Sequence, residues 1–339
     1  ANKLVDKVAY EDEYHDMIRA KLKVDKKEKY DIVSITDYAK KASSTVEDYS
    51  KNDIIAVIYA QGEIAGGEGD VNVIGEGSIK RSLQEAREDK DVKAIVLRVN
   101  SPGGSALTSE LIWREIEITK KVKPVVVSMG NYAASGGYYI AANADRIFAE
   151  PNTITGSIGV FGMLPNMNQL GKNIGINAEQ VKTHENASGY SVFEPIDENF
   201  KGFVLESIEK TYATFLKRVA DGRKMTTEQV DAIAQGRVWT GVDAHKLGLV
   251  DEIGGLDAAI KYAAKLGKTT SYRTENFPEY EKSFEDLLAN FTGMAMFKTK
   301  EQLLKEQLGE EGFQMLEQIK RVKSRKGIQA MMPYELEIH

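Results

Sequence analysis

Short runs of β-branched and apolar residues, each followed by a stretch with helical spacing, limit this chain more than any other feature. "IIAVIYAQGEI" from Ile54, "VKAIVLRVN" from Val92, "PVVVSMG" from Pro124 and "RIFAEP" from Arg146 read as strands, because β-branched side chains suit a pleated surface and short apolar runs bounded by turns suit buried strands. Between them "SIKRSLQEAREDK", "ALTSELIWREIEITKKV" and "GGYYIAANA" read as helices. Strands that are apolar almost throughout are buried on both faces, which is the condition of a parallel sheet covered by helices. The expectation is an α/β chain with a largely parallel sheet. "FKGFVLESIEKTYATFLKRVADG", "TTEQVDAIAQG" and "GVDAHKLG" are expected as the helices that close the domain near Gly267.

With 339 residues and 42% hydrophobic content, the chain can bury a substantial core and hold more than one structural unit. A net charge of −6 without a long Lys/Arg run excludes the electrostatic footprint of a nucleic-acid binder. The absence of cysteine removes thiolate nucleophiles, thiolate metal sites and disulfides, and leaves the compartment open. No uninterrupted apolar run approaches the ~20 residues that span a bilayer, and the opening "ANKLVDKVAYEDEYHD" is too charged for a signal peptide. A phosphate loop ending in GK[ST] is missing, as is a GxGxxG after a strand, and no cofactor is expected.

One stretch of the chain resembles another, either as a chance likeness of two short amphipathic helices or, on the sharper reading, as an internal repeat. "ANKLVDKVAYEDEYHDMIRAKLK" lies on "KLGLVDEIGGLDAAIKYAAKLGK", matching Leu4 with Leu249, Val5 with Val250, Asp6 with Asp251 and Asp12 with Asp257. Residues 1–23 are therefore expected to be the remnant of a preceding copy of the domain. Residues 24–50 are expected as a connection, 51–267 as the main domain and 268–339 as a charged helical tail containing the apolar stretch "FEDLLANFTGMAMF".

Chemistry concentrates at two strand ends, where open α/β sheets place their ligands. In "RVNSPGGSAL", Pro102 fixes a turn while Gly103 and Gly104 expose backbone N–H groups ahead of a helix, suited to a developing oxyanion. An ordinary tight turn is the plainer alternative. In "GNYAASGGYYIAANAD", Ser135 stands between small residues at the expected start of a helix. It is either a simple N-cap or a nucleophile favoured by the helix dipole.

Taken together, "VKAIVLRVNSPGGS", "KPVVVSMGNYAASGGYYIA", "TITGSIGVFG" and "AQGRVWTGVDAHKLGLVDEIGG" resemble the signal peptide peptidase A (protease IV) family. The resemblance covers roughly residues 50–267 and is closest to the C-terminal half of the long, tandem-domain bacterial form. It implies a Clp-protease/crotonase-like fold of repeated β-β-α units and a Ser/Lys-dyad serine peptidase that degrades cleaved signal peptides and other hydrophobic peptides. By the same resemblance Ser135 is the nucleophile, Gly104 and Gly136 supply the oxyanion hole, and Ser157 orients the amine of a catalytic lysine. It also implies a ring or bowl of identical subunits on the outer side of a bacterial cytoplasmic membrane, with at most peripheral membrane contact by this chain.

The base is the gap in that pattern. A serine nucleophile needs a base, which in Ser/Lys variants is a lysine with a lowered pKa. At the position matching the lysine of the short family form this chain has Ala187, and Lys182 comes several residues too early. The second half of the long form takes its lysine from the first half, so this chain is expected to carry nucleophile and oxyanion hole without a base. His15, His184, His245 and His339 are poorly placed to replace it, and Ser207 with Lys210, an SxxK pair, is expected to be a surface pairing. Two alternatives are a crotonase-type acyl-CoA hydratase or isomerase and a non-catalytic assembly domain.

Overall fold

Ile54, Ile55, Ala56, Val57 and Ile58 are all buried in the first strand of the main sheet, β1 (Asp53–Gln61), so both of its faces are covered. The computed structural model describes residues 10–25, 30, 32–35, 38, 52–184, 187, 189–278 and the backbone of 329–331. They fall into two units, Ala1–Tyr49 and Ser50–His339.

In the first unit, α1 (Glu11–Leu22) starts with Glu11, Asp12 and Glu13, carries Arg19 and Lys21 in its last turn, and buries no residue. That charge order suits the helix dipole. His15 is hydrogen-bonded to the Tyr30 hydroxyl. Of the residues that suggested a repeat, Leu4, Val5 and Asp6 lie outside the described residues.

The second unit begins with two segments in which strands lead into a helix, four strands in the first and two in the second. β1, β2 (Glu63–Ala65), β3 (Gly69–Asp70) and β4 (Val73–Gly75) lead into α2 (Glu76–Glu88). β5 (Val92–Ser101) and β6 (Gly103–Ser105) lead into α3 (Ala106–Lys120). Then come β7 (Val125–Ala134), α4 (Gly136–Ala141), β8 (Arg146–Ala149) and β9 (Ile154–Gly156). They are followed by α5 (Asn168–Asn173), α6 (Glu198–Arg223), α7 (Thr227–Ile233), β10 (Val238–Thr240) and α8 (Gly241–Lys246). The described part closes with β11 (Glu252–Ile253), α9 (Leu256–Leu266), β12 (Tyr272–Phe277) and β13 (Gln329–Met331).

The main sheet runs β10-β9-β7-β5-β1-β12, with β8 on β7 and β11 on β8. All of its pairings are parallel except β9 with β10. This is the α/β architecture that the alternation predicts. One face packs Ile54, Ala56, Ile58, Ile95, Leu97 and Val99 against α2, α3 and α4. The other packs Ile55, Val57, Ala94, Val96 and Val126 against Ala259 and Ala263 of α9. A smaller sheet, β13-β6-β2-β4-β3, lies at the strand ends.

Two expectations change. "IIAVIYAQGEI" is not one strand: the chain turns at Gly62, where φ is 100°, and enters the smaller sheet as β2. The domain also runs past Gly267, because β12 pairs in parallel with β1 from Asp53↔Tyr272 to Ile58↔Phe277. "SYRTENF" is charged and half-exposed along its length, as an edge strand is, and so lacks the apolar run that reveals a central one. In the expected helical tail only residues 329–331 are described beyond residue 278, and they form a strand. "FEDLLANFTGMAMF" lies outside the described residues.

Among the described residues, no helix is long and apolar enough to cross a membrane.

Candidate active site

Ser135 is the hinge between β7 and α4, with φ 51° and ψ −116°. A non-glycine residue avoids this region, and holding one there costs on the order of 1–3 kcal/mol. The surroundings enforce it: the Ser135 N–H donates to Gly156 O at 2.8 Å, and its carbonyl accepts from Tyr139 N at 2.8 Å. Its side chain makes no capping bond to α4. The hydroxyl instead lies 3.4 Å from the Gly159 carbonyl oxygen. The N-cap alternative therefore fails on its defining hydrogen bond.

The "SPGG" turn arrives beside this hinge through the register of the sheet, since Ser101 of β5 pairs with Ala133 of β7. Gly103 has φ 106° and Gly104 φ 154°, which only glycine adopts without strain. A Cβ on Gly104 would stand 2.0 Å from Ile64 O, because β6 runs against β2 there. The Gly103 N–H is taken by Ser101 Oγ at 3.1 Å. Gly136 is buried at the first position of α4, where a backbone N–H has no acceptor within its own helix. The other side of β6 is paired antiparallel with residues 329–331, Ala330 opposite Gly104.

Ser157 follows directly on Gly156, the acceptor for Ser135, so the sheet brings the two serines' backbones side by side. Ser157 is also held at positive φ, 47°, and its N–H donates to Arg237 O at 2.7 Å. Ser157 is a buried residue, and its hydroxyl makes no hydrogen bond among the described residues.

No lysine or histidine bonds to Ser135 among the described residues. Lys182 lines an open groove with Glu179, Glu194, Asp197 and Glu198, which none of the four site residues lines. Ala187 is exposed. His184 bonds to Thr183 and His245 to Val250 O, while His339 lies outside the described residues. Lys210 pairs with Glu206 at 2.6 Å on the surface of α6, leaving Ser207 no catalytic partner there.

Sequence reasoning missed the anchoring of α4. The Tyr138 hydroxyl donates to Leu249 O at 2.9 Å and the Tyr139 hydroxyl to Glu110 Oε2 at 2.5 Å. Burial pushes both phenols well above their ordinary value, and for Tyr139 the Glu110 carboxylate adds to the push, so both remain protonated donors. Glu110 also accepts a fork from Arg218 of α6, whose guanidinium lies 3.7 Å from the ring centre of Trp113. The doublet Tyr138-Tyr139 beside Gly136 and Gly137 is the signal that was available.

Residues 117–270 match peptidase family S49. Protease 4 of Haemophilus influenzae is 45% identical over 239 residues, 70% of this chain and 39% of that protein. Protease 4 of Salmonella typhi is 40% identical over 265 residues, 78% of this chain and 42% of that protein. An Enterococcus faecium protein named for signal peptide peptidase SppA is 34% identical over 232 residues, 67% of each chain. The chain spans 39% and 42% of the length of the two Protease 4 relatives. Among solved structures, a mutant ClpP1 from Listeria monocytogenes superposes with a TM-score of 0.41 at 16% identity, over 60% of this chain and 94% of that one.

Proposed function

The chain belongs to peptidase family S49, the signal peptide peptidase A proteases, and on that premise we propose that it carries the nucleophilic half of a Ser/Lys endopeptidase site. The observation behind this reading is the strained, non-capping Ser135 at the strand–helix hinge, with Gly104 and Gly136 beside it.

Ser135 Oγ attacks the scissile carbonyl, and its proton passes to a lysine amine. The N–H groups of Gly104 and Gly136 take the charge that develops on the carbonyl oxygen, a stabilisation worth roughly 3–4 kcal/mol per donor in such sites. The Ser157 hydroxyl accepts from the lysine amine and orients it. That lysine comes from another copy of the domain, the N-terminal half of a tandem protein, which supplies the base that Ser135 lacks among the described residues. As the tetrahedral intermediate collapses the C–N bond breaks and the lysine returns the proton to the leaving amine, and the acyl-enzyme is then hydrolysed by water activated by the same lysine.

The substrates are hydrophobic peptides, released signal peptides among them, bound as a strand along β6 in the place that residues 329–331 take here. The antiparallel lie of residues 329–331 on β6 supports that mode of entry. Identical subunits assemble into a ring or bowl at the outer face of a bacterial cytoplasmic membrane, and that enclosure spares folded proteins.

Fluorophosphonate labelling and peptide turnover test the reading. The 339-residue chain alone should turn over peptides slower by about 10²–10⁴ than the same chain joined to a lysine-bearing first half. The joined protein should label at Ser135 and lose both readouts in Ser135→Ala. Robust turnover by the chain alone, abolished by Ser135→Ala, would place the base within this chain. Turnover by the joined protein that survives Ser135→Ala would overturn the assignment of the nucleophile.

A further inference from the structure

The side-chain rows that pack under α9 run on past it. Alternate residues of a strand share one face, so Ile55 and Val57 of β1 are followed on that face by Tyr59 and Gln61. Likewise Ala94 and Val96 of β5 are followed by Arg98 and Asn100, and Val126 of β7 by Ser128 and Gly130. The first, apolar part of each row is buried with α9. The polar continuation walls a cavity of ≈180 Å³, lined by Tyr59, Gln61, Arg98, Asn100, Gly130 and Asn131. It lies at the C-terminal ends of three parallel strands, where such sheets bind ligands. Ser135, Gly104, Gly136 and Ser157 do not line it.

An irregularity in the ladder shapes the cavity. Val99 pairs with Met129 and Ser101 with Ala133, so a short step on β5 faces a longer one on β7, and β7 bulges. Asn100 holds the bulge by accepting from Tyr132 N at 3.2 Å through Oδ1, and among the described residues its amide NH₂ has no acceptor. Arg98 donates through Nη1 to Ser128 Oγ and to Met129 O, each at 2.8 Å. Both acceptors are neutral. Among the described residues, the Nε and Nη2 edge of Arg98 has no hydrogen-bond partner and no carboxylate within ion-pair distance. Burial pushes this guanidinium below its ordinary value, and Glu150 and Tyr59 only oppose that from a distance. No Asp or Glu lines the cavity.

We propose that this cavity is a carboxylate-binding site, in which the open edge of Arg98 takes a planar carboxylate and the side chains of Tyr59, Gln61, Asn100 and Asn131 donate around it. A half-buried cation with no carboxylate within ion-pair distance is unfavourable, and a single negative charge completes it. One guanidinium edge matches the two oxygens of a carboxylate side by side. A phosphate dianion would bring more charge than one arginine balances. The carboxylate is carried either by the C-terminus of a peptide or by an acidic side chain of a second copy of the chain. The site stands independently of the role of Ser135.

The test uses the full chain with N-acetylglycine as the probe, N-acetylglycinamide and inorganic phosphate as controls, constant ionic strength, and detection by thermal shift and amide NMR. N-acetylglycine should bind saturably, raise the melting temperature and perturb resonances of Gln61, Asn100 and Asn131, while the amide should do none of these. Arg98→Gln should weaken binding about tenfold or more. Asn131→Ala, a change at an exposed position that keeps the fold, should weaken it several-fold. If the natural carboxylate belongs to a second copy, excess N-acetylglycine will shift the chain towards monomer in sedimentation. If it belongs to a peptide, association will be unchanged, and peptides with a free C-terminus, not amidated ones, will compete with the probe. Equal binding of the amide, preference for phosphate, undiminished binding by both variants, or no saturable binding would overturn the proposal.

Discussion

The Ser135 N–H donates to the Gly156 carbonyl at 2.8 Å, which ties the strained hinge to the strand that delivers Ser157. Strain at Ser135 and placement of Ser157 are therefore one arrangement, and disturbing the hinge disturbs both.

Replacing Ser135 separates strain from chemistry. Ser135→Gly should raise stability by about 1–2 kcal/mol, because glycine adopts φ 51°, ψ −116° freely. Ser135→Ala keeps the strain and should gain little. Urea denaturation of the two variants measures the difference, and neither should label with a fluorophosphonate.

Gly104→Ala should damage the fold as well as the site. The added methyl meets Ile64 O at 2.0 Å, so the β2–β6 pairing must open. A loss of about 3 kcal/mol is expected from overpacking and backbone strain combined. A variant as stable as the parent would show that β6 sits further from β2.

The bonds that hold α4 should rank in a fixed order. Tyr139→Phe leaves Glu110 its Arg218 fork and should cost about 1 kcal/mol. Glu110→Ala strands the Tyr139 hydroxyl and the Arg218 guanidinium together, and should cost about 2 kcal/mol, moderated because the pair is partly exposed. Chemical denaturation of both variants at neutral pH checks the order.

Asp251 should contribute to acid sensitivity. Burial pushes its carboxyl up, but the Arg223 fork and the Ile147 N–H outweigh that and hold it below its ordinary value of 3.8. A depressed folded value means that this stabilisation is complete above the unfolded value and is lost as the pH falls through the lower, folded one. Asp251→Asn should therefore be less stable than the parent at neutral pH, and the gap should close on acidification below about pH 4. A gap independent of pH would remove the linkage.

The parallel core was legible because β1, β5 and β7 are apolar runs with β-branched residues, and burial on both faces follows from that pattern. "SPGG" and "AASGG" were legible as strand ends, since glycine marks backbone that other residues resist. Arg98 and Asn100 were passed over inside "VKAIVLRVN". They alternate with Leu97 and Val99, but what lies over that face depends on where α9 stops, far along the chain. Glu110 and Arg218 escaped for the same reason: each looks like an ordinary charged residue on a helix until folding sets the helices side by side.

The pairing of β1 with β12 also has a consequence during synthesis. Asp53 waits for Tyr272, so β1 leaves the ribosome long before its outer neighbour exists. Until then Ile54 to Ile58 form an unpaired, apolar edge open to other nascent chains. A chain stopped at Gly267 would keep that edge for good and should precipitate even though every strand of its central ladder is present.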